Sequence, residues 1–299
     1  MGAVLIVANP AAGTTDDRLL AQVTELCAEH AATVRVHRTA CAGDATTTVR
    51  AAVREPDCPD LVVAVGGDGT VREVIEGLAG EGRSALAIVP AGTGNSGYRM
   101  LWGERPWAST LRSALTGDGA RLREFDLAEV AETGALVFLG ACSGVVAQAL
   151  VGARETGLTG RARYAKTLAD SAAAFVPYPG RVTVDGVELH RGDTVLANVG
   201  GGRYRGGQYL LLPHSEFDDG LLDVCVVASP VRPAEVPTLV REGEHLGREG
   251  VFYGRGRVIT VERLDGGPLL FEHDGELQPA TRSAITLRVM PGALPVWTG

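Results

Sequence analysis

Lysine is almost absent from this sequence of 299 residues, in which Lys166 is the single example. A P-loop nucleotide site needs a glycine-rich loop ending in Gly-Lys-Ser/Thr, and a protein kinase needs a lysine on a strand. Lys166 stands in Tyr-Ala-Lys-Thr, which fits neither setting. The sequence therefore excludes both classes, and a phosphate-binding site would have to use backbone N–H groups, arginines or a metal ion.

Cysteine pairs and long apolar runs are also missing. The five cysteines lie far apart with no Cys-x-x-Cys pair, which argues against a zinc site or a disulfide framework. Scattered thiols of this kind predict a cytoplasmic protein. The first ten residues have no basic lead and too short an apolar stretch for a signal peptide. No apolar run reaches the ~18 residues that a membrane-spanning helix needs.

Positive charge is in deficit, since 36 acidic residues face 28 basic ones and the formal net charge is −8. We therefore expect no nucleic-acid partner, because such binding needs a positive field. The hydrophobic fraction of 45% is ordinary for a folded protein. Glycine is abundant at 40 residues, which indicates many tight turns and close backbone approaches.

The order of predicted elements indicates two domains of different class. Strands predicted at 4–8, 33–37, 61–65 and 86–89 alternate with helices at 16–29, 44–54, 71–78 and 107–115. This alternation is typical of a parallel α/β sheet. From about residue 121, short alternating runs separated by Gly, Asp and Pro predict an antiparallel β-sandwich, interrupted by one helix at 161–175. We predict an α/β domain over 1–128 and a β-rich domain over 129–285.

Two glycine-rich loops follow predicted strands of the first domain. Gly66-Gly67-Asp68-Gly69-Thr70 lies between a strand and a helix, where glycines let a phosphate approach the backbone and the helix offers N–H groups. The alternative is a tight turn with Thr70 as the helix N-cap. Pro90-Ala-Gly-Thr-Gly-Asn95-Ser96 also follows a strand, and its alternative is a loop in which Asn95 or Ser96 caps a helix. Neighbouring strand ends share one crevice, so both loops could face one cleft that binds a phosphate.

Two acidic clusters stand in the second half of the chain. They are Phe217-Asp-Asp-Gly-Leu-Leu-Asp223 and Glu272-His-Asp-Gly-Glu276. Asp-Gly pairs commonly form hairpin turns, which is the structural alternative for either cluster. A carboxylate that reached a cleft could act as a base or a metal ligand.

These motifs, taken in order, resemble the catalytic domain of diacylglycerol kinases. That family includes bacterial lipid kinases and sphingosine kinases, and it shares its nucleotide-binding fold with NAD kinases. The matching segments are Asn9-Pro-Ala-Ala-Gly13, Thr39 with Gly43-Asp-Ala45, Gly66–Glu73, Pro90–Asn95, Asp126-Leu127, Ser143-Gly144, Arg163-Tyr164, Asp185-Gly186, Pro213 with Asp219–Asp223, and Asp274-Gly-Glu276. The Gly-Gly-Asp-Gly-Thr segment alone is shared by several kinase families, whereas the ordered set is specific.

The resemblance implies an ATP- and Mg²⁺-dependent lipid kinase with ATP between two domains and residues 286–299 returning to the first. It implies ATP contacts from Asn9, Pro10, Ala11, Ala12, Gly13, Thr39, Gly66, Gly67, Asp68, Gly69, Thr70, Val71, Arg72, Thr93 and Asn95. It implies Mg²⁺ ligands from the Asp219 side chain and the backbone carbonyls of Glu216 and Leu221. Asp68 and Asp126 would belong to a catalytic network of water and metal. The base would be Glu276, with Asp274 as the next choice.

Two departures from the family pattern leave the acceptor open. Ser96 stands where the family usually has an aspartate beside Asp68 and Asp126. In the segment 139–148, Val146 and Gln148 stand where relatives often carry an acidic residue near the substrate. The leading hypothesis is phosphorylation of a lipid hydroxyl, with diacylglycerol first. The alternatives are a kinase for a non-lipid hydroxyl and a nucleotide-binding protein whose site has decayed.

Partners follow from the same resemblance. A lipid acceptor implies peripheral contact with a membrane surface, at the inner face for a cytoplasmic protein. The stretch Arg154 to Lys166 is a candidate membrane-facing basic patch, and a solvated helix face is its alternative. NAD kinase activity is disfavoured, because the chain lacks a Gly-Ser-Thr-Ala-Tyr-like segment and a downstream Asn-Glu pair. Relatives can form homodimers, although no segment of this sequence predicts an interface.

Overall fold

The chain folds into two compact units in a computed structural model that describes residues 1–153, 160–206, 208–241 and 243–299. One unit comprises Met1–Phe125 and Gly292–Gly299, and the other comprises Asp126–Pro291. The sequence predicts that the first domain ends at residue 128 and that the chain returns to it at residue 286. Two polypeptide connections, at residues 125–126 and 291–292, link the units.

The first unit is a parallel sheet with helices between its strands. Its strands are β1 (Ala3–Ala8), β2 (Thr33–Arg38), β3 (Leu61–Gly66) and β4 (Ala85–Pro90), and its helices are α1 (Asp17–His30), α2 (Asp44–Ala52), α3 (Asp68–Leu78), α4 (Ser96–Trp102) and α5 (Trp107–Thr116). The strand order is β2-β1-β3-β4, and every pairing is parallel. Val296, near the end of the chain, pairs in parallel with Leu86 of β4 and extends this sheet.

Apolar periodicity explains these elements. Every residue of β3 is buried, as expected for a strand covered on both faces. Helix α1 buries Leu20, Val23 and Leu26 on one face, and the Asp16 side chain accepts the Leu19 N–H at 2.7 Å as its N-cap. The four predicted strands and four predicted helices are confirmed, with shifts of a few residues at their ends.

Helix α3 begins three residues earlier than the sequence predicts. Its first residue is Asp68 and its N-cap is Gly67, so the alternative assignment of Thr70 as the N-cap is wrong. Thr70 instead lies in the first turn of the helix, where its hydroxyl contacts another loop. The glycine-rich motif therefore forms the helix N-terminus itself.

The second unit is built mainly from antiparallel strands. Its strands are β5 (Arg121–Val130), β6 (Ala135–Val137), β7 (Ala141–Gly144), β8 (Tyr178–Val184), β9 (Val187–Gly200), β10 (Tyr204–Arg205), β11 (Tyr209–Leu210), β12 (Leu222–Ala228), β13 (Val251–Gly256), β14 (Val258–Arg263), β15 (Phe271–His273), β16 (Glu276–Leu277) and β17 (Ala284–Thr298). The helices are α6 (Val145–Ala153), α7 (Gly160–Ala174) and α8 (Val236–Leu239), which follows a 3₁₀ turn at Pro233–Glu235. Strands β5 and β17 each begin in one unit and end in the other.

The main sheet of this unit separates two hydrophobic cores. Its strand order is β16-β15-β7-β9-β8-β14-β17, and β12 pairs with β9 and β13. One core gathers Val182, Val261 and Phe271, while the other gathers Cys142 and Leu168 beneath α6 and α7. This β-rich architecture confirms the predicted class. Among the residues described, no helix is long and apolar enough to cross a membrane.

Candidate active site

Three loops meet at the carboxyl edge of the parallel sheet in the first unit. They follow β1, β3 and β4, and short backbone hydrogen bonds join them. Thr14 donates its N–H to the Ala91 carbonyl at 3.0 Å, and Ala91 donates its own N–H to Gly66 at 2.9 Å. Strand order changes direction next to β1, which is the position where open α/β sheets bind ligands.

Asn9 fastens the first of these loops to the helix that follows the second. Its side-chain oxygen accepts the Ala11 N–H at 2.9 Å, and its Nδ2 donates to the Thr70 hydroxyl at 3.1 Å. Pro10, Ala11 and Gly13 are exposed beyond this anchor. The segment Asn9–Gly13 is thus a turn that the Asn9 side chain ties to helix α3, with exposed residues beyond it.

Two close approaches explain the glycines. A Cβ on Gly66 would lie 2.6 Å from the Thr70 Cβ, and a Cβ on Gly92 would lie 2.4 Å from the Gly67 Cα. Any side chain at Gly92 would force the β3 and β4 loops apart, because its neighbour is backbone that cannot rotate away. The glycines therefore allow the two loops to pack closely. This is in addition to the predicted approach of a phosphate to the loop backbone.

The Asp68 carboxylate links the two glycine-rich loops. Its Oδ1 accepts the Gly97 N–H at 3.0 Å, which satisfies a donor in the first turn of α4. Asn95, at the N-cap position of α4, makes no side-chain cap bond and has a left-handed φ of 52°. The alternative interpretation, a side-chain cap from Asn95 or Ser96, is therefore not what the structure shows, and Asp68 of another loop accepts the N–H instead.

The other residues predicted to contact ATP have varied surroundings. Thr39 extends the β1–β2 ladder by donating its N–H to Ala8 at 2.9 Å, and Thr93 is exposed in the β4 loop. Arg72 lies 3.2 Å from Glu76 across one helical turn, and Val71 is buried beside it. The Asn95 amide group closes its own loop through both the N–H and the carbonyl of Gly92.

In the second unit, Asp126 forms hydrogen bonds with the acidic cluster of residues 217–223. Its Oδ2 accepts the Gly220 N–H at 2.7 Å, and its own N–H donates to the Phe217 carbonyl at 2.5 Å. Asp126 is 6% exposed, so these bonds hold the loop from Phe217 to Gly220 against β5. The side chain of Asp126 supports this loop rather than lying within it.

Asp219, the proposed side-chain ligand of Mg²⁺, is held by an arginine. Its Oδ1 accepts the Leu221 N–H at 3.0 Å, and its Oδ2 forms an ion pair with Arg255. The Arg255 Nε also lies 3.4 Å from Asp223, a fully buried carboxyl whose pKa is raised by burial. The guanidinium therefore bridges two carboxylates.

The donor set at this loop fits Mg²⁺ in chemistry. One carboxylate and two backbone carbonyls are hard oxygen ligands, and Mg²⁺ usually keeps several waters besides one or two carboxylates. The described residues contain no group of three or more His, Cys, Asp or Glu that could hold a metal, so a fully side-chain site is not present among them. The Oδ2 atom of Asp223, in the strand β12 that follows this loop, is buried and has no hydrogen-bond partner among the described residues. Arg255 would have to leave Asp219 for a cation to bind.

Asp274, the second choice for the base, has a structural role in the second cluster. Its two oxygens accept three backbone N–H groups, from Phe138 at 2.9 Å, Leu139 at 2.7 Å and Gly140 at 3.2 Å. Its backbone has a left-handed φ of 50°, in a two-residue turn with Gly275. These bonds commit both oxygens of Asp274 to the backbone of residues 138–140.

Glu276 faces solvent at the start of β16. With Arg163 and Leu150 it lines a cavity of about 290 Å³. Of the predicted basic patch, Arg163 is exposed and Lys166 lies 2.5 Å from Asp170. Arg154 and the side chain of Arg161 lie outside the described residues. The exposure of Glu276 suits a proton acceptor better than the enclosed carboxylate of Asp274.

Glu272 is a third carboxyl in this cluster, and it is 2% exposed. Its Oε2 accepts the Gly275 N–H at 3.0 Å. Burial raises the pKa of Glu272 to about 7, although Arg205 and the Gly275 N–H both act to lower it. A raised pKa means that the folded state prefers the protonated form, so this group contributes more stability at low pH.

We therefore expect Glu272→Gln to change the pH dependence of stability. Wild-type stability should fall relative to the variant as pH rises from about 4.5, the usual value, to about 7. The difference should total about 3 kcal/mol, at 1.36 kcal/mol per unit of pKa. Urea unfolding at pH 4.5 and pH 8 measures it. A difference that does not change with pH would contradict the raised pKa.

Sequence reasoning missed Arg205 and Arg255. Arg205 is 6% exposed and donates to the Asn198 side chain at 2.8 Å and to the Leu139 carbonyl at 2.8 Å. Neither arginine stands in a motif. Arg255 lies opposite Asp223 in the pairing of β12 with β13, whereas the side chain of Arg205 reaches Asn198 and Leu139 outside the pairing of its own strand. An arginine beside glycines, as in Tyr204-Arg205-Gly206-Gly207, is too common a pattern to reveal such a role.

Comparison with known proteins places these motifs in a family. Residues 3–130 match the diacylglycerol kinase catalytic domain, and residues 140–298 match the YegS C-terminal NAD kinase beta sandwich-like domain. The chain is 29% identical to "Diacylglycerol kinase" of Bacillus subtilis, covering 86% of this chain and 84% of the relative. It is 34% identical to "Probable lipid kinase YegS-like" of Pseudomonas aeruginosa, covering 79% and 75%.

Solved structures share the fold. A diacylglycerol kinase from Bacillus anthracis superposes with a TM-score of 0.74 at 22% identity, covering 99% of this chain and 97% of that one. An NAD kinase from Archaeoglobus fulgidus, solved in complex with ATP, gives a TM-score of 0.51 at 14% identity, covering 100% and 93%. At these identities the likeness concerns architecture.

Proposed function

Because the chain belongs to the diacylglycerol kinase catalytic-domain family of lipid kinases, we propose that it transfers the γ-phosphate of ATP to a lipid hydroxyl. Diacylglycerol, which would give phosphatidic acid, is the first acceptor to test. The observation that carries the proposal is the set of interlocked glycine loops around Asp68, with Gly67, which has no side chain, as the N-cap of α3. Such a loop and helix end bind phosphate without a lysine.

Each part of the chemistry has candidate residues. We assign phosphate binding to the backbone of residues 9–13, 66–72 and 93, and the Mg²⁺ ligands to Asp219 and the carbonyls of Glu216 and Leu221. Bound Mg²⁺ would neutralise phosphate charge during transfer. Glu276 would accept the proton of the attacking hydroxyl, since its carboxylate is exposed where that of Asp274 is enclosed. The acceptor would be met at a membrane surface, with peripheral contact.

The test is Mg²⁺-dependent ADP release from ATP with diacylglycerol, a sphingoid base, NAD or no acceptor. We expect stimulation by diacylglycerol and a loss of at least about 10²-fold in Asp68→Asn, because the amide removes charge from the network that orders both loops. Asp118→Asn, an exposed carboxylate of the same unit, is the matched control. Activity that survives Asp68→Asn would remove this residue from the machinery.

A second candidate function keeps the kinase and changes the acceptor to a non-lipid hydroxyl. It is favoured by Ser96, which replaces a carboxylate in the first turn of α4, and by Val146 and Gln148 in α6. Stimulation by a soluble alcohol with none by lipids would support it. ATP binding without any phosphoryl transfer would instead indicate a decayed site, and Ser96→Asp would then be the variant that tests for rescue.

A further inference from the structure

The turn that precedes Glu276 is held by a buried carboxyl from the same hairpin. Strands β15 and β16 pair His273 with Glu276 and Glu272 with Leu277. Asp274 and Gly275 connect them with φ values of 50° and 83°, as in a type I′ turn. The Gly275 N–H points inward to Glu272 Oε2 at 3.0 Å. One side chain thus fixes the residue directly before Glu276.

The groups around Glu272 are two neutral side chains, one cation and one carboxylate. Glu272 pairs across the sheet with Cys142, and burial, with a smaller contribution from the charge of Glu272, raises the pKa values of that thiol and of Tyr164 on α7. Both groups are therefore neutral near neutral pH. Arg205 is the positive neighbour and Asp274 the negative one. Helix α6, with the sequence Val-Val-Ala-Gln-Ala-Leu-Val-Gly-Ala, presents no ionisable side chain.

Arg205 cannot move to neutralise Glu272 fully. Its Nε and Nη atoms are committed to the Asn198 side chain and to the carbonyls of Leu139 and Val199, at 2.8 to 3.3 Å. A Cβ on Gly140 would lie 1.7 Å from its Nη2, so the guanidinium is enclosed by backbone. Glu272 is thus a buried acid beside a fixed cation, and the Gly275 N–H is its direct hydrogen-bond donor.

Three carboxyls of one hairpin therefore have three different surroundings. Asp274 holds the segment Phe138–Gly140, Glu272 holds Gly275, and Glu276 is exposed. We propose that Glu272 is a positioning residue, whose ionised carboxylate holds the Asp274–Gly275 turn and thereby sets the position of the Glu276 carboxylate. This inference rests on the proposed role of Glu276 as the base.

The hydrogen bond depends on the charge of Glu272. An ionised carboxylate accepts an N–H roughly twice as strongly as a neutral acid. Because the pKa of Glu272 is about 7, the turn is held more firmly as pH rises through neutrality. A base displaced by about 1 Å can lose about 10²-fold in rate, so a looser turn should lower turnover without changing substrate affinity.

The variants Glu272→Gln and Glu272→Leu separate charge from hydrogen bonding. Glutamine keeps an acceptor without charge, and we expect kcat to fall about tenfold, whereas leucine removes the acceptor and should cost about 10²-fold. The KM values for ATP and acceptor should change by less than about twofold. The rise of kcat with pH near 7 should disappear in Glu272→Gln. Glu188→Gln, an exposed carboxylate that pairs with Arg191, is the matched control.

Hydrogen exchange of the Gly275 amide, followed by NMR in the full chain, decides the inference without an activity assay. Protection should fall in Glu272→Leu and, in the wild type, decrease from pH 8 to pH 6 after correction for the intrinsic rate. Unchanged protection in Glu272→Leu would overturn the inference even if the protein is an active kinase. Lost protection with unchanged kcat in an active enzyme would overturn it too. If no acceptor is phosphorylated, the kinase proposal fails, while the amide measurement still supports or refutes the hold on the turn.

Discussion

Glu276→Gln is expected to lower kcat by about 10²- to 10⁴-fold while the protein stays folded, the range that a positioned general base contributes. The side chain is exposed, so its replacement by an amide of the same shape leaves packing unchanged. An amide cannot accept the proton of an attacking hydroxyl at neutral pH. Initial rates at saturating ATP and acceptor measure the effect, and thermal unfolding checks the fold.

Two further variants make this result specific. Asp274→Asn should change the rate much less than Glu276→Gln, because the Asp274 carboxylate accepts N–H groups from Phe138 to Gly140. Glu249→Gln, at an exposed glutamate of the same unit, should have no effect. If Asp274→Asn proved the more damaging change to kcat at equal stability, the assignment of the two carboxylates would have to be reversed.

Asp274→Ala is expected to destabilise the protein by about 3–5 kcal/mol, which could unfold it near physiological temperature. Alanine would leave three N–H groups without their carboxylate and would have to adopt a φ of 50°, which an aspartate tolerates better. Urea unfolding curves of Asp274→Ala and Asp274→Asn measure the loss. The asparagine variant should be milder, since its amide oxygen still accepts.

A second Asp-Gly turn in the same unit provides the comparison. Asp185 has a φ of 49°, and its Oδ1 accepts the N–H groups of Arg257 and Val258 at 2.9 and 2.8 Å. Asp185 is exposed, whereas Asp274 is partly buried, so Asp185→Ala should cost less. Equal losses at the two turns would mean that backbone conformation, and not the number of N–H bonds, sets the effect.

Local pattern explains why much of the first unit could be predicted. Each of the strands β1, β3 and β4 is an apolar run, and the glycines of its loop follow within a few residues. Helices of ordinary length separate these strands, which predicts a parallel sheet. For the second unit, the β-rich class could be predicted, but the individual helices and strands were predicted less well. Helix α6 was not expected, because its valines favour a strand by propensity.

Long-range contacts explain what the sequence could not reveal. Helix α4 begins where Asp68, 29 residues earlier, accepts the Gly97 N–H, so no local cap signal marks its start. Likewise, Glu272 differs from Glu276 only because it pairs with Cys142 beneath α6 and α7. Three acidic residues within five positions cannot be assigned different roles until strand register and burial are known.

The path of the chain has a consequence for biosynthesis. Gly292–Gly299 belong to the first unit, and Val296 pairs with Leu86, yet all of Asp126–Pro291 lies between. A ribosome therefore releases the strand that pairs with β4 only after the second unit has been translated. Until then β4 presents an unpaired edge, a type of surface that invites aggregation. Nascent chains stalled before residue 292 should consequently depend more on chaperones than full-length chains do.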